Sequence, residues 1–195
     1  MKTNLFKFSL VCVVFFNAAF GANFVFSQDL LPEGKYKYAY SCDGFNQDRD
    51  DVAASAMTLA IFDRLNMSKQ LVHYHFNTNF GGVPTHAEDH RKSVLQTAVL
   101  FNIIKTENDT SDAFFDVSAS EQEKIAAINH LANMMLKASE KEPLMLFCAG
   151  AVQLPYFALR RAIELGASKE NLRSLVFVSH ALANEKAGRT DNPPI

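Results

Sequence analysis

The stretch that decides the fold is "SCDGFNQDRDDVAAS", Ser41–Ser55. It gathers Asp43, Asn46, Asp48, Asp50 and Asp51 into a short segment. A tyrosine-rich alternation, "KYKYAYSC", precedes it and reads as a strand. Val52, Ala56, Leu59, Ala60 and Phe62 recur after it at helical spacing, which predicts a helix from Val52 to Leu65. The acids therefore stand where a strand ends and a helix begins. Either Asp50 or Asp48 is expected to cap that helix, with the other acids favoured by its dipole. Four aspartates exceed what one cap requires. Crowded carboxylates raise one another's pKa values, and a hard cation with oxygen ligands removes that strain.

Outward from this segment the pattern alternates. "QLVHYHF" is a second strand, and a helix runs from about Asp89 to Phe101. "AFFDV" is a short third strand. "SASEQEKIAAINHLANMMLKASEK" is a helix with a capping-box signature at Ser120 and Glu123 and a stripe of Ile125, Ile128, Leu131, Ala132, Met135 and Leu136. "PLMLFCAG" is a continuously apolar strand, as expected when both faces are covered. Pro155 to Leu165 is a helix closed by Gly166, and "LRSLVFVSH" is a last apolar strand. The order predicts an α/β fold: an open, mainly parallel sheet with helices on both faces and Rossmann-like topology.

The chain of 195 residues suits one domain. Its formal charge of -2 gives no reason to expect nucleic acid as a partner. "MKTNLFK", the apolar run "FSLVCVVFF" and the small residues of "NAAFGA" form a signal-peptide pattern over residues 1–21. The expectation is a secreted or periplasmic domain over 22–195, with no membrane association after cleavage. A homo-oligomer stays open. The mature chain would keep Cys42 and Cys148, which form neither a disulfide framework nor a zinc spacing. Two buried thiols and one disulfide are both compatible with that count.

In a parallel sheet, ligands bind outside the carboxyl ends of the strands. That rule selects the acidic loop, the loop with Asn77 and Asn79, the segment "CAGAVQ", and "SHALANE" with His180 and Asn184. An EF-hand starting at Asn46 fails, because Asp51 and Met57 stand where Gly and Glu are needed. No nucleophile elbow, P-loop or dinucleotide fingerprint is present. His73 and His75 point to one face of a strand and are expected to be buried and hydrogen-bonded rather than metal-bound.

An apolar strand, an Asp-rich loop ending in Asp-Asp and the helix "DDVAASAMTLAIF" together resemble the N-terminus of the nucleoside hydrolase superfamily, the inosine- and uridine-preferring enzymes and their relatives. "PLMLFCAGAVQLPYFAL" is similar to that family's strand ending in T-G-P-L-T-N, and an asparagine-bearing loop follows the second strand. The resemblance implies hydrolysis of a glycosidic bond in a nucleoside or other sugar compound by a calcium-activated water. It implies Asp51, Asp43 and the Ala149 carbonyl as calcium ligands, with Asp43 and Asp50 in catalytic roles. Substrate contacts would come from Asn46, Asp48, Asn77, Asn79, His180 and Asn184. An ungapped count puts Asn46 where the base belongs. An insertion allows Asp43 or Asp48, and the strand end favours Asp43. Departures are Ala149, Val152 and Gln153 within the T-G-P-L-T-N segment, and no counterpart of the family's C-terminal His and Asp before Ile195. The expectation is a divergent, C-terminally short member. The alternative is a non-catalytic sugar-binding member of the same fold.

Overall fold

The computed structural model describes residues 36–43, 49–78, 87–106 and 113–179. The elements are β1 (Lys37–Ser41), α1 (Arg49–Arg64), a 3-10 turn (Ser68–Gln70), β2 (Leu71–Phe76), α2 (Ala87–Leu100), β3 (Phe114–Asp116), α3 (Glu121–Lys137), β4 (Leu144–Cys148), α4 (Gln153–Glu164), α5 (Lys169–Arg173) and β5 (Leu175–Ser179). All strand pairs are parallel, in the order β3-β2-β1-β4-β5. The sheet thus grows outward from β1 twice, in opposite directions. With right-handed crossovers, that reversal sends the first helices to one face and the later ones to the other. The switch point lies between β1 and β4, so their carboxyl ends splay around a crevice.

Period-2 alternation along β1 and β4 feeds two cores. Tyr40, Cys42, Tyr74, Phe76 and Phe114 meet Leu59 and Phe62 of α1 and Val94, Leu95 and Ala98 of α2. Ala39, Leu144, Leu146 and Cys148 meet α3 and α4 through Leu131, Met135, Phe157 and Ala158. Cys42 and Cys148 therefore lie on opposite faces of the sheet, and neither is in a disulfide. Among the described residues, no helix is long and apolar enough to cross a membrane.

Several sequence expectations shift. The first helix begins at Arg49, not Val52, so Asp50 lies inside its first turn and is not its cap. Asp48 and the signal-peptide segment 1–21 lie outside the described residues. Ser120 does cap α3, accepting from the Glu123 backbone N–H at 3.1 Å. Ile125 is not in the buried stripe; it is exposed, and Ala127 takes its place. Leu172 and Arg173 do not begin the last strand. They belong to α5, where Ser168 and Asn171 form a capping box that stops the strand reading. Gly166 follows α4 with φ +94°, the left-handed conformation that favours glycine at a helix end.

Candidate functional site at the sheet switch point

The carboxyl ends of β1, β2 and β4 are tied past their last ladder residues. The Ala149 N–H donates to the Ser41 carbonyl at 2.8 Å, and the Cys42 N–H donates to the His75 carbonyl at 3.0 Å. Both the N–H and the hydroxyl of Thr78 donate to the Cys42 carbonyl, at 3.4 and 3.0 Å. These bonds carry Asp43 to the mouth of the crevice, where it meets β4. A β-carbon on Gly150 would fall 2.4 Å from the Asp43 Cβ, 2.6 Å from its Cγ and 2.8 Å from its backbone nitrogen. Only glycine at 150 leaves room for the Asp43 side chain in this position.

Asp51 lies in the first turn of α1. Burial pushes the Tyr40 phenol up to about 12. Cys42 adds to that rise, a hydrogen bond with Thr58 opposes it, and the Asp51 and Asp43 carboxylates each push it further. Both carboxylates thus act on one hydroxyl, although the sequence separates them by a loop. Ala149, half-buried at the end of β4, offers a main-chain carbonyl on the same rim. Two carboxylates and a carbonyl are hard oxygen donors of the kind calcium takes. Among the described residues, no three His, Cys, Asp or Glu side chains are grouped to hold a metal.

Asn77 directly follows β2 with φ 61° and is buried. Its Nδ2 donates to the Ala87 carbonyl at 3.2 Å and to Asp116 Oδ1 at 3.0 Å. Both partners only accept, which fixes the amide so that Oδ1 faces His90 Nδ1 at 2.8 Å. His90 Nδ1 must then carry the proton. Burial holds this imidazole down at about 4, against the opposite pull of Asp116, so it is neutral at pH 7. The Ser55 hydroxyl lies 2.7 Å from its Nε2 and 2.9 Å from the Asp51 carbonyl, two acceptors for one proton, and the Cys42 thiol stands 3.0 Å from that oxygen. Asp116 also accepts from the Ser118 N–H and hydroxyl and pairs with Arg91 at 3.5 Å.

This is the order of a nucleophile, a base and an orienting amide. Yet Ser55 is 0 % exposed, in the middle of α1, and no substrate reaches its hydroxyl. The chain instead locks the start of α1 and α2 onto the sheet, with Ser93 adding a bond to the Val52 carbonyl at 3.1 Å. Asn77 is fully engaged in that lock. A separate cavity of about 220 Å³ opens beside Arg91, Asp116 and Glu123, at the β3 edge and away from the switch point.

Of the residues selected from sequence, Asp43 packs against Gly150, Asp43 and Asp51 both raise the Tyr40 hydroxyl, and Ala149 directly follows β4. The backbone of Asp50 lies in the first turn of α1. Asn46, Asp48, Asn79, His180 and Asn184 lie outside the described residues. Sequence reading missed Tyr40, Ser41, Ser55, His90 and Asp116. The contacts that join them span the chain: Ser55 meets His90 and Asp116 meets Asn77.

The chain is 26% identical over 165 residues to "Uncharacterized protein P22" of Formosa agariphila, a match covering 83% of this chain and 58% of that protein. It thus spans little more than half the length of this curated relative. No family model matches the chain, and no solved structure matches it.

Proposed function

We propose that this protein hydrolyses the glycosidic bond of a nucleoside or related sugar compound in the crevice between β1 and β4. The observation that carries the reading is the seating of Asp43 against Gly150 at the switch point, with Asp51 bearing on the same Tyr40 hydroxyl. Calcium, when bound by Asp43, Asp51 and the Ala149 carbonyl, would acidify a water and anchor sugar hydroxyls. Asp43 takes a proton from the attacking water. The water oxygen bonds to the anomeric carbon as the bond to the leaving group breaks, the leaving group takes a proton from solvent, and Asp43 returns its proton to solvent. The carboxylates oppose the positive charge that develops on the sugar. The commitment of the Asn77 amide to His90 and Asp116 supports a second reading, a domain that binds the sugar without turning it over. The test is release of base and sugar from inosine and uridine by the full chain, with calcium or with chelator, beside Asp51→Ala. Turnover lost in both comparisons supports hydrolysis. Activity indifferent to chelator and substitution overturns it.

A further inference from the structure

The cavity of about 220 Å³ at the β3 edge stands apart from the switch point and has no part in the proposed reaction. Its walls come from separate segments of the chain. Phe76 and Asp116 are partners in the β2–β3 register, and Phe114 lies two residues before Asp116, so all three face one side of the sheet. Arg91 and Leu95 are one helical turn apart on α2. The Ala119 N–H donates to the Asp116 carbonyl at 3.1 Å, in a turn that leads from β3 into α3. Glu123 stands in the first turn of α3, which Ser120 caps.

The floor of the cavity is apolar: Phe76, Leu95 and Phe114 are all buried. Its charged groups are of both signs. Asp116 is 5 % exposed, and its Oδ1 accepts from the Asn77 amide, the Ser118 N–H and the Ser118 hydroxyl. Those bonds fix the carboxylate, and Oδ2 lies 3.5 Å from Arg91. A guanidinium carries five N–H donors, and one contact at that distance leaves most of them unused. The Arg91 side chain is 38 % exposed, so a ligand can reach it. Glu123 lines the same cavity, and its carboxylate makes no ion pair or hydrogen bond among the described residues. Arg91 and Glu123 are therefore opposite charges on one cavity that do not meet.

A ligand charged in one sense would leave Arg91 or Glu123 facing a like charge. A ligand with both charges offers each a partner. The volume sets its size: above the roughly 150 Å³ that holds benzene, and below the roughly 300 Å³ at which pockets for drug-sized molecules begin. We propose that this cavity binds a free α-amino acid with an apolar side chain. The carboxylate of the ligand accepts from the Arg91 fork. Its ammonium donates to Glu123 and to Asp116 Oδ2, the oxygen that the internal bonds leave open. Its side chain rests on Phe76, Leu95 and Phe114. The site does not depend on the hydrolytic reading.

Calorimetric titration of the full chain with L-leucine and L-phenylalanine tests this. One molecule per chain should bind saturably for at least one of them. Isoamylamine and isocaproate are leucine without its carboxylate and without its ammonium; phenethylamine and hydrocinnamate are the same for phenylalanine. Both analogues of the tighter amino acid should bind at least about tenfold more weakly than it does. Arg91→Lys keeps a positive charge beside Asp116 and removes the bidentate fork. Glu123→Gln removes the partner of the ammonium at a half-buried position. Each should weaken amino-acid binding at least about tenfold, and Glu123→Gln should leave binding of the carboxylate analogue no weaker than in the wild type. No saturable heat with either amino acid overturns the proposal. So does an amine analogue that binds as tightly as its amino acid, which would mark a simple cation site, or unchanged affinity in either variant. A chain that binds the amino acid and hydrolyses no nucleoside keeps this site and loses the proposed reaction.

Discussion

Acidification should destabilise this fold well before its ordinary carboxylates titrate. Burial holds His75 at about 3 and His90 at about 4 in the folded chain. In the unfolded chain both return to about 6.5. Their folded values are depressed, so the unfolded state binds more protons between the two limits. The stability they protect is complete above pH 6.5 and falls as pH drops toward 4 for His90 and toward 3 for His75. At pH 5 each contributes a loss of about 2 kcal/mol, so the pair removes about 4 kcal/mol relative to pH 7.5. The limiting slope is about 2.7 kcal/mol per pH unit, and His73, shifted in the same direction, steepens it. That loss is a large share of the roughly 5–15 kcal/mol of a natural domain. Urea unfolding at steps from pH 7.5 to pH 5 measures it, above the range of ordinary carboxylates. His75→Gln should lower the slope by about 1.4 kcal/mol per unit. Stability that is flat or rising on acidification across this window refutes the reasoning, because the histidines would then be protonated in the folded protein.

Three further expectations follow from particular contacts. Gly150→Ala sets a methyl group 2.4 Å from the Asp43 Cβ. The strand end must move, at about 1–3 kcal/mol, and calcium binding should weaken more than a substitution at an exposed site allows; equal affinity in calorimetry contradicts the role of Gly150. Asn77→Ala strips partners from His90 and Asp116 and should cost about 3 kcal/mol in urea unfolding, whereas a change under about 0.5 kcal/mol contradicts the lock. Dithiothreitol should leave the thermal midpoint unchanged, since Cys42 and Cys148 face opposite sides of the sheet; a lowered midpoint would reveal a bridge between them.

The alternation of strands and helices was legible because long apolar periodicities are local. Burial selects the apolar face of α3 whatever the rest of the chain does. The carboxyl-end rule singles out Asp43, and the parallel sheet order puts the end of β1 at the switch point. The misreadings were boundary effects. The polar first turn of α1 carries no apolar period, and α5 is too short to show one. The internal locks were illegible for another reason. His73 meets His130 across 57 residues, and Asn77 meets Asp116 across 39. Nothing in the local pattern of either segment names its partner. The alternating His73 and His75 gave the one local signal, a shared face, which burial under α3 turned into a hydrogen-bonded line.

The most direct test of the switch-point site is calorimetric titration of calcium into the metal-free full chain and into Asp51→Ala. A site built from Asp43, Asp51 and the Ala149 carbonyl predicts saturable binding of one ion per chain in the wild type, weakened by at least about tenfold in the variant. No saturable heat in the wild type, or equal affinity in the two proteins, contradicts it.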